Sequence, residues 1–252
     1  MARNSPSASE SKVQTEDAQG DLDVIRRDCR YYTDHIVFQV ENCLFKVPQR
    51  KFVDDSEVFK GMFALPADSK TVEGQTDEKP IVLVGIKKEE FQALLHVMFT
   101  PLYGPSLEEQ RQPTLEEWIS VLKLTTMWQF ARQRRVAIDR LCPLLEAANI
   151  PARWLWLARQ YDVDEWLFPA LHALARRTQP IQVEEAESLG IATAIKMAEV
   201  RESFTRCSVK YNYQIVVSRS QYDFTAKIMQ VFRDELRAEA IGLPLLDRSW
   251  DL

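Results

Sequence analysis

Strand formers run together at His35-Ile36-Val37-Phe38-Gln39-Val40 and again at Cys43-Leu44-Phe45-Lys46-Val47. Glu41-Asn42 between them is a turn signal, and Pro48 stops the second run. β-branched and aromatic runs bounded in this way predict a hairpin. The spacing then changes. Phe52, Val53, Val58, Phe59, Met62 and Phe63 recur three and four residues apart, with Asp54-Asp55-Ser56 interrupting them. That pattern predicts two short helices, the second capped by Ser56. Residues 66–79 (PADSKTVEGQTDEK) form a polar loop whose one core-forming residue is Val72, and Ile81-Val82-Leu83-Val84 reads as a short buried strand closed by Gly85.

From Lys87 onward the period is helical. Phe91, Leu94, Leu95, Met98 and Phe99 share one stripe, which Pro101 is expected to stop. After a second polar connection (GPSLEEQRQP), Thr114 and Glu117 form a capping box, followed by a stripe of Leu115, Trp118, Ile119, Leu122 and Thr126. A further helix runs through Phe130 to about Leu141. Beyond Pro151 the clearest stripe is Val163, Trp166, Leu167, Ala170, Leu171 and Leu174, ended before Pro180. Residues 183–189 make a short helix that Gly190 ends as a left-handed cap, and 191–201 continue helically. SVKYNYQIVVS has strand character, with Tyr211, Tyr213, Ile215 and Val217 alternating as an edge strand would; Ile228, Val231, Phe232 and Leu236 predict one last amphipathic helix. The fold class is α+β, strands early and helices late.

Residues 1–27 lack the apolar content to offset the entropy of ordering and read as a disordered tail. The rest is ordinary globular composition, 46% hydrophobic and 27% charged, enough for a core without staples. A net charge of −5 supplies no general attraction to nucleic acid or an anionic membrane.

Seven glycines change the picture more. No two lie closer than eleven residues, so the glycine loops that cradle phosphates and the nucleophile elbow of hydrolases cannot exist in this chain. The histidines (35, 96, 172) are too far apart for a metal pair on one helix, and the four cysteines (29, 43, 142, 207) contain no C-x-x-C. No metal or cofactor is expected. Spread cysteines, no glycosylation sequon and no hydrophobic leader predict a reducing, intracellular setting, and no apolar run approaches the ~18 residues of a membrane span.

Three features invite sharper readings. Cys43 and His35, on neighbouring strands, have the residue types of a nucleophile and base but no orienting third group, and Cys43 reads as half-buried. Arg132-Gln133-Arg134-Arg135 is a possible phosphate patch, or a solvated helix face in a neutral neighbourhood. Trp154 and Trp156, two residues apart, cannot share a helix face, so one of them is open to solvent or to another segment; Trp166 belongs to the core stripe.

The stretch from Tyr32 to Leu141 resembles the BTB/POZ domain. Asp34-His35-Ile36-Val37 and Leu44-Phe45-Lys46-Val47 are similar to its first strands. Ser56-Glu57-Val58-Phe59-Lys60-Gly61-Met62-Phe63 is similar to its S-x-x-F-x-x-M-F helix. Ile81-Val82-Leu83, then Glu90-Phe91-Gln92-Ala93-Leu94-Leu95 and Phe99-Thr100, follow its strand and F-x-x-L-L helix. Val121-Leu122-Lys123-Leu124 with Trp128, Phe130, Ala137 and Ile138 resembles its last helical pair. Phe45-Lys46-Val47-Pro48, Gly85-Ile86 before Glu89-Glu90-Phe91, Val163-Asp164-Glu165-Trp166-Leu167 and Glu184-Glu185-Ala186 with Leu189-Gly190 resemble a fungal BTB/POZ subgroup with a helical extension.

The resemblance implies a tail (1–27), a BTB/POZ domain (28–147) with a small three-stranded sheet and a cluster of helices, an all-helical extension (148–202) and a C-terminal segment (203–252). It implies a non-enzymatic protein–protein interaction module, a homodimer that recruits a protein partner as a scaffold. Its interface candidates are Val24 and Ile25 before the first strand, Asp34 as the first-strand acid, and Phe52 and Val53, which would equally serve as core; the exposed one of Trp154 and Trp156 is a further candidate, because tryptophan is enriched at interface hot spots. Dimeric members carry a histidine and a basic residue after the second strand, where this chain has Pro48 and Gln49, then Arg50. The alternative is a substrate adaptor of a cullin-3-type ubiquitin ligase. Its hydrophobic-x-Glu motif is not matched, because Val72-Glu73-Gly74 places the glutamate one position early.

Overall fold

The structure is a computed structural model and describes residues 26–28, 32–64, 73–103, 112–210 and 218–236. The chain divides into two compact units, Met1–Asp34 and His35–Leu252. In the first, the Tyr32 amide donates to the Asp28 carbonyl (3.1 Å) and the Arg27 guanidinium lies over the Tyr32 ring. Val24 and Ile25 lie outside the described residues.

The second unit is α+β. The hairpin forms as its pattern predicts: β1 (His35–Val40) pairs antiparallel with β2 (Cys43–Pro48) across the Glu41-Asn42 turn. β3 (Ile81–Val82) pairs parallel with β1, so the three-stranded sheet has the order β2-β1-β3. β3 is shorter and more open than its sequence suggests. Val82 is 57% exposed and Val84, in the turn that follows, 88%. Paired on one side only, this edge strand buries just one row of side chains.

Ile36, Phe38 and Val40 carry one face of β1 into the core. Phe38 meets Phe52 of α1 (Gln49–Asp55), Phe59 of α2 (Glu57–Ala64) and Phe91 of α3 (Lys88–Tyr103), with ring centroids 5.0, 5.7 and 5.5 Å away. Ser56 separates α1 from α2, as its sequence predicts. Its hydroxyl accepts from the Phe59 amide (3.2 Å) as an N-cap and donates to the Trp128 carbonyl (2.5 Å). Trp128 follows α4 (Leu115–Met127), whose capping box of Thr114 and Glu117 is fully formed. Gln129, with φ 55°, then turns the chain so that Trp128 and Phe130 both enter the core before α5 (Ala131–Ala148).

Any other residue at Gly74 would be strained and would push on the Ile36 side chain. The φ there is +82°, the Gly74 carbonyl accepts from Val37, and a Cβ there would lie 2.8 Å from the Ile36 side chain.

Proline does not stop helices here. α3 runs two residues past Pro101, and α5 continues through Pro143 instead of ending near Leu141. α7 (Asp164–Arg176) likewise contains Pro169. Pro143 and Pro169, with the residues four earlier (Asp139 and Glu165), are all exposed, so water can satisfy the freed carbonyls while Leu141, Leu145 and Ala170 stay buried.

α6 (Pro151–Gln160), α8 (Val183–Leu189), α9 (Ile191–Lys210) and α10 (Thr225–Val231) complete the unit, and one continuous apolar core runs from β1 to Leu236. Gly190 ends α8 with a positive φ of 85°, which glycine allows, but its ψ of 140° lies outside the left-handed helical region, and α9 starts immediately after it. α9 reaches Lys210, replacing the start of the expected strand; Tyr211, Tyr213, Ile215 and Val217 lie outside the described residues.

Phe52 is wholly buried, with Phe38, Phe59 and Phe130 around it. It is core, not surface, because α1 turns its other side (Arg50 paired with Asp54) to solvent. Phe52→Ala should cost about 3–5 kcal/mol, and Ser56→Ala about 1–3 kcal/mol through the Trp128 carbonyl left without its donor. Urea unfolding checks both as lowered midpoints at unchanged slope.

Candidate functional site

Two kinds of site are visible, a cleft among the helices and apolar positions on the surface. The cleft, about 710 Å³, lies between α5, α6 and α7 and the 3-10 turn Arg219–Gln221. Cys142, Trp154, His172, Arg176 and Ser220 are among its walls. α6 begins at Pro151 in the first turn, where a missing N–H costs nothing, and so brings Trp154 under α7. Trp154 is 3% exposed, and its indole N–H has no partner among the described residues.

Burial pushes the Cys142 thiol up, and the carboxylates of Glu146, Glu165 and Asp139 add to it, so the thiol stays protonated at neutral pH. His172 stacks on Phe168, with Nε2 3.7 Å from the Asp223 carboxylate. Burial holds the imidazole below its ordinary value and Arg176 pushes the same way, against Asp223. The Arg176 Nε donates to the Tyr222 carbonyl. A neutral imidazole offers one donor and one acceptor nitrogen, and a protonated thiol is only a weak donor. They do not make an activated nucleophile.

The other sharp readings resolve by position. His35 pairs with Pro48 and Cys43 with Val40, at opposite ends of the hairpin, about 17 Å apart at the strand rise per residue. No acyl-transfer pair can form from them. The arginine run is largely occupied in holding the fold. Gln133 is buried and donates to Asp55 (2.7 Å), Arg134 donates to the Tyr161 and Asp162 carbonyls, and Arg135 pairs with Asp139 and Glu165. It is therefore not simply a solvated face.

Of the expected interface residues, Phe52 and Trp154 are core, Val53 is half-buried, and Asp34 and Trp156 are exposed. Phe52 and Val53 come from α1, and Trp154 and Trp156 from α6. Trp156 is 40% exposed and lines a second cleft with Glu184 and Ser188 of α8. Sequence reasoning missed a row across the sheet. Leu44, Gln39 and Val82 are direct cross-strand partners, so their side chains share one face, and Leu44 and Val82 are 49% and 57% exposed. The signal was available in the alternation of β2, where Leu44 and Lys46 oppose Phe45 and Val47.

No family model matches this chain, and no curated protein matches it either. Among the described residues, no three His, Cys, Asp or Glu side chains group so as to hold a metal ion, and no helix is long and apolar enough to cross a membrane.

The cleft makes stability pH-dependent. The unfolded imidazole of His172 takes a proton near pH 6.5, before the folded one does. Stability is therefore complete above that value and is lost as pH falls toward the lowered folded one. His172→Gln should flatten this slope in urea titrations, and Asp223→Asn should lower the His172 titration midpoint followed by NMR.

Proposed function

We propose that this chain is a BTB/POZ-type protein–protein association module carrying a helical extension, which self-associates and recruits a protein partner. The observation that carries the reading is the turn at Ser56. It caps the helix bearing Phe59, Met62 and Phe63 and is bonded to the carbonyl of Trp128, the aromatic of the last helical pair. Two widely separated parts of the resembling pattern thus meet in one buried hydrogen bond.

The order around that bond supports the same reading. A hairpin, two short helices, a strand, a helix and a helical pair follow one another in the order the resemblance implies. The apolar row of Leu44 and Val82 supplies a face for a second copy. It lies on a sheet whose outer strands are both edges, and edge strands that present apolar side chains invite pairing unless covered. A stable homodimer would bury about 1,600 Å² in all.

Light scattering at roughly tens of micromolar should return about twice the 29.2 kDa chain mass. Leu44→Glu combined with Val82→Glu should return the monomer mass with the circular dichroism unchanged. A wild-type chain that is monomeric throughout that range would overturn self-association.

A further inference from the structure

α9 leaves one face of its first turns in solvent. Ile191, Ala194, Ile195 and Ala198 fall on it at three- and four-residue spacing, and Ile191 and Ile195 are 73% and 65% exposed. Val183, at the start of α8, is 70% exposed. Between the two helices runs a groove of about 380 Å³, walled by Ile181, Ala186, Ala194, Ala198, Arg201 and Arg219. The small residues let a chain approach closely, and Ile191 and Ile195 lie outside the groove's walls on the face of α9 that Ala194 and Ala198 share.

One end of the groove is basic. Arg201 is buried and spends its guanidinium on the carbonyls of Leu174, Thr178 and Gln179. Burial above all, then the charges of Arg219 and Arg177, disfavour its charged form, while Glu185 opposes them. Arg219 lies over the Phe204 ring and has no carboxylate partner among the described residues. Glu202 stands at the rim of the same groove and tempers this charge. A fitting occupant is an apolar segment that brings carboxylates of its own.

The chain carries such a segment. Residues 243–252 read LPLLDRSWDL, four leucines and a tryptophan with Asp247, Arg248 and Asp251 among them, so the aspartates outnumber the arginine. The position of the described chain's end favours it. Glu235 pairs with Arg159 (2.7 Å), and the same guanidinium donates to the Leu189 carbonyl and the Thr193 hydroxyl. Leu236 therefore stands at the corner where α8 passes into α9, on the opposite side of α9 from Ile191 and Ile195. Halfway round a helix ~10–12 Å across is about 17 Å. A link of six residues reaches at most about 20 Å. The leucines start where that reach ends.

We propose that residues 243–252 dock in the α8–α9 groove of their own chain, with the leucines over Ile191, Ala194 and Ile195 and the aspartates toward Arg219. This contact uses none of the residues of the sheet row and holds whether or not the chain dimerises. Hydrogen exchange of the full chain tests it, read by mass spectrometry with light scattering on the same samples. Amides of 243–250 should be protected in the wild type and should exchange about tenfold faster or more in Ile195→Glu, whose side chain is solvent-facing, while α4 and α5 amides keep their rates. Arg219→Glu should also speed them, and Arg219→Glu with Asp247→Arg should restore the slower exchange. Equal rates in the wild type and Ile195→Glu would overturn the proposal. Protection that disappears on dilution together with a dimer mass would assign the groove to a second copy and overturn it as well.

Discussion

Phe59 and its ring neighbours are the constraint on which the sheet and first helices depend. Phe38 from β1, Phe52 from α1, Phe63 from α2, and Trp128 and Phe130 from the α4–α5 corner all lie 5.1–6.2 Å from Phe59 by ring centroid. Most of these pairs are edge-to-face, the arrangement ring quadrupoles favour. Elements of very different sequence position are thereby tied at one point, and the Ser56 hydrogen bond to Trp128 sets the approach of α2 to that corner. Removing a ring here would loosen five elements at once.

The later helices are joined by arginines as well as by apolar packing. Arg134 caps the end of α6 through the Tyr161 and Asp162 carbonyls, and Arg201 caps the end of α7. Carbonyls at a helix C-terminus lack intrahelical donors, and a guanidinium offers several in a fixed plane. Arg177 and Glu185 form a bidentate pair between the end of α7 and α8, with the carboxyl held below its ordinary value by that bond. Arg159 gathers Leu189, Thr193 and Glu235. These bonds decide where α8, α9 and the segment after α10 sit, and so where the exposed face of α9 points.

The helix cleft has walls more apolar than polar, among them a protonated thiol and a neutral imidazole. Leu44 and Val82 on the sheet and Ile191 and Ile195 on α9 are apolar side chains open to solvent.

Much of the fold was legible along the chain. The hairpin, the Ser56 cap, the Thr114–Glu117 box and the stripe of Val163 through Leu174 are local patterns, and local hydrogen bonding and periodicity determine them. Proline misled at positions 101 and 143, because whether a helix survives a proline depends on the solvent available to the freed carbonyl. Phe52 and Trp154 illustrate the wider limit. An amphipathic stripe specifies which side chains leave water, not whether a core or another molecule receives them. By itself the sequence determined the class, the order of elements and the absence of glycine-loop chemistry. Only the tertiary structure decided that Phe52 and Trp154 are core, that His35 and Cys43 stand apart, and that Leu44 and Val82 share a face. Those outcomes depend on strand register and on which elements meet, and neither is encoded within a single local window.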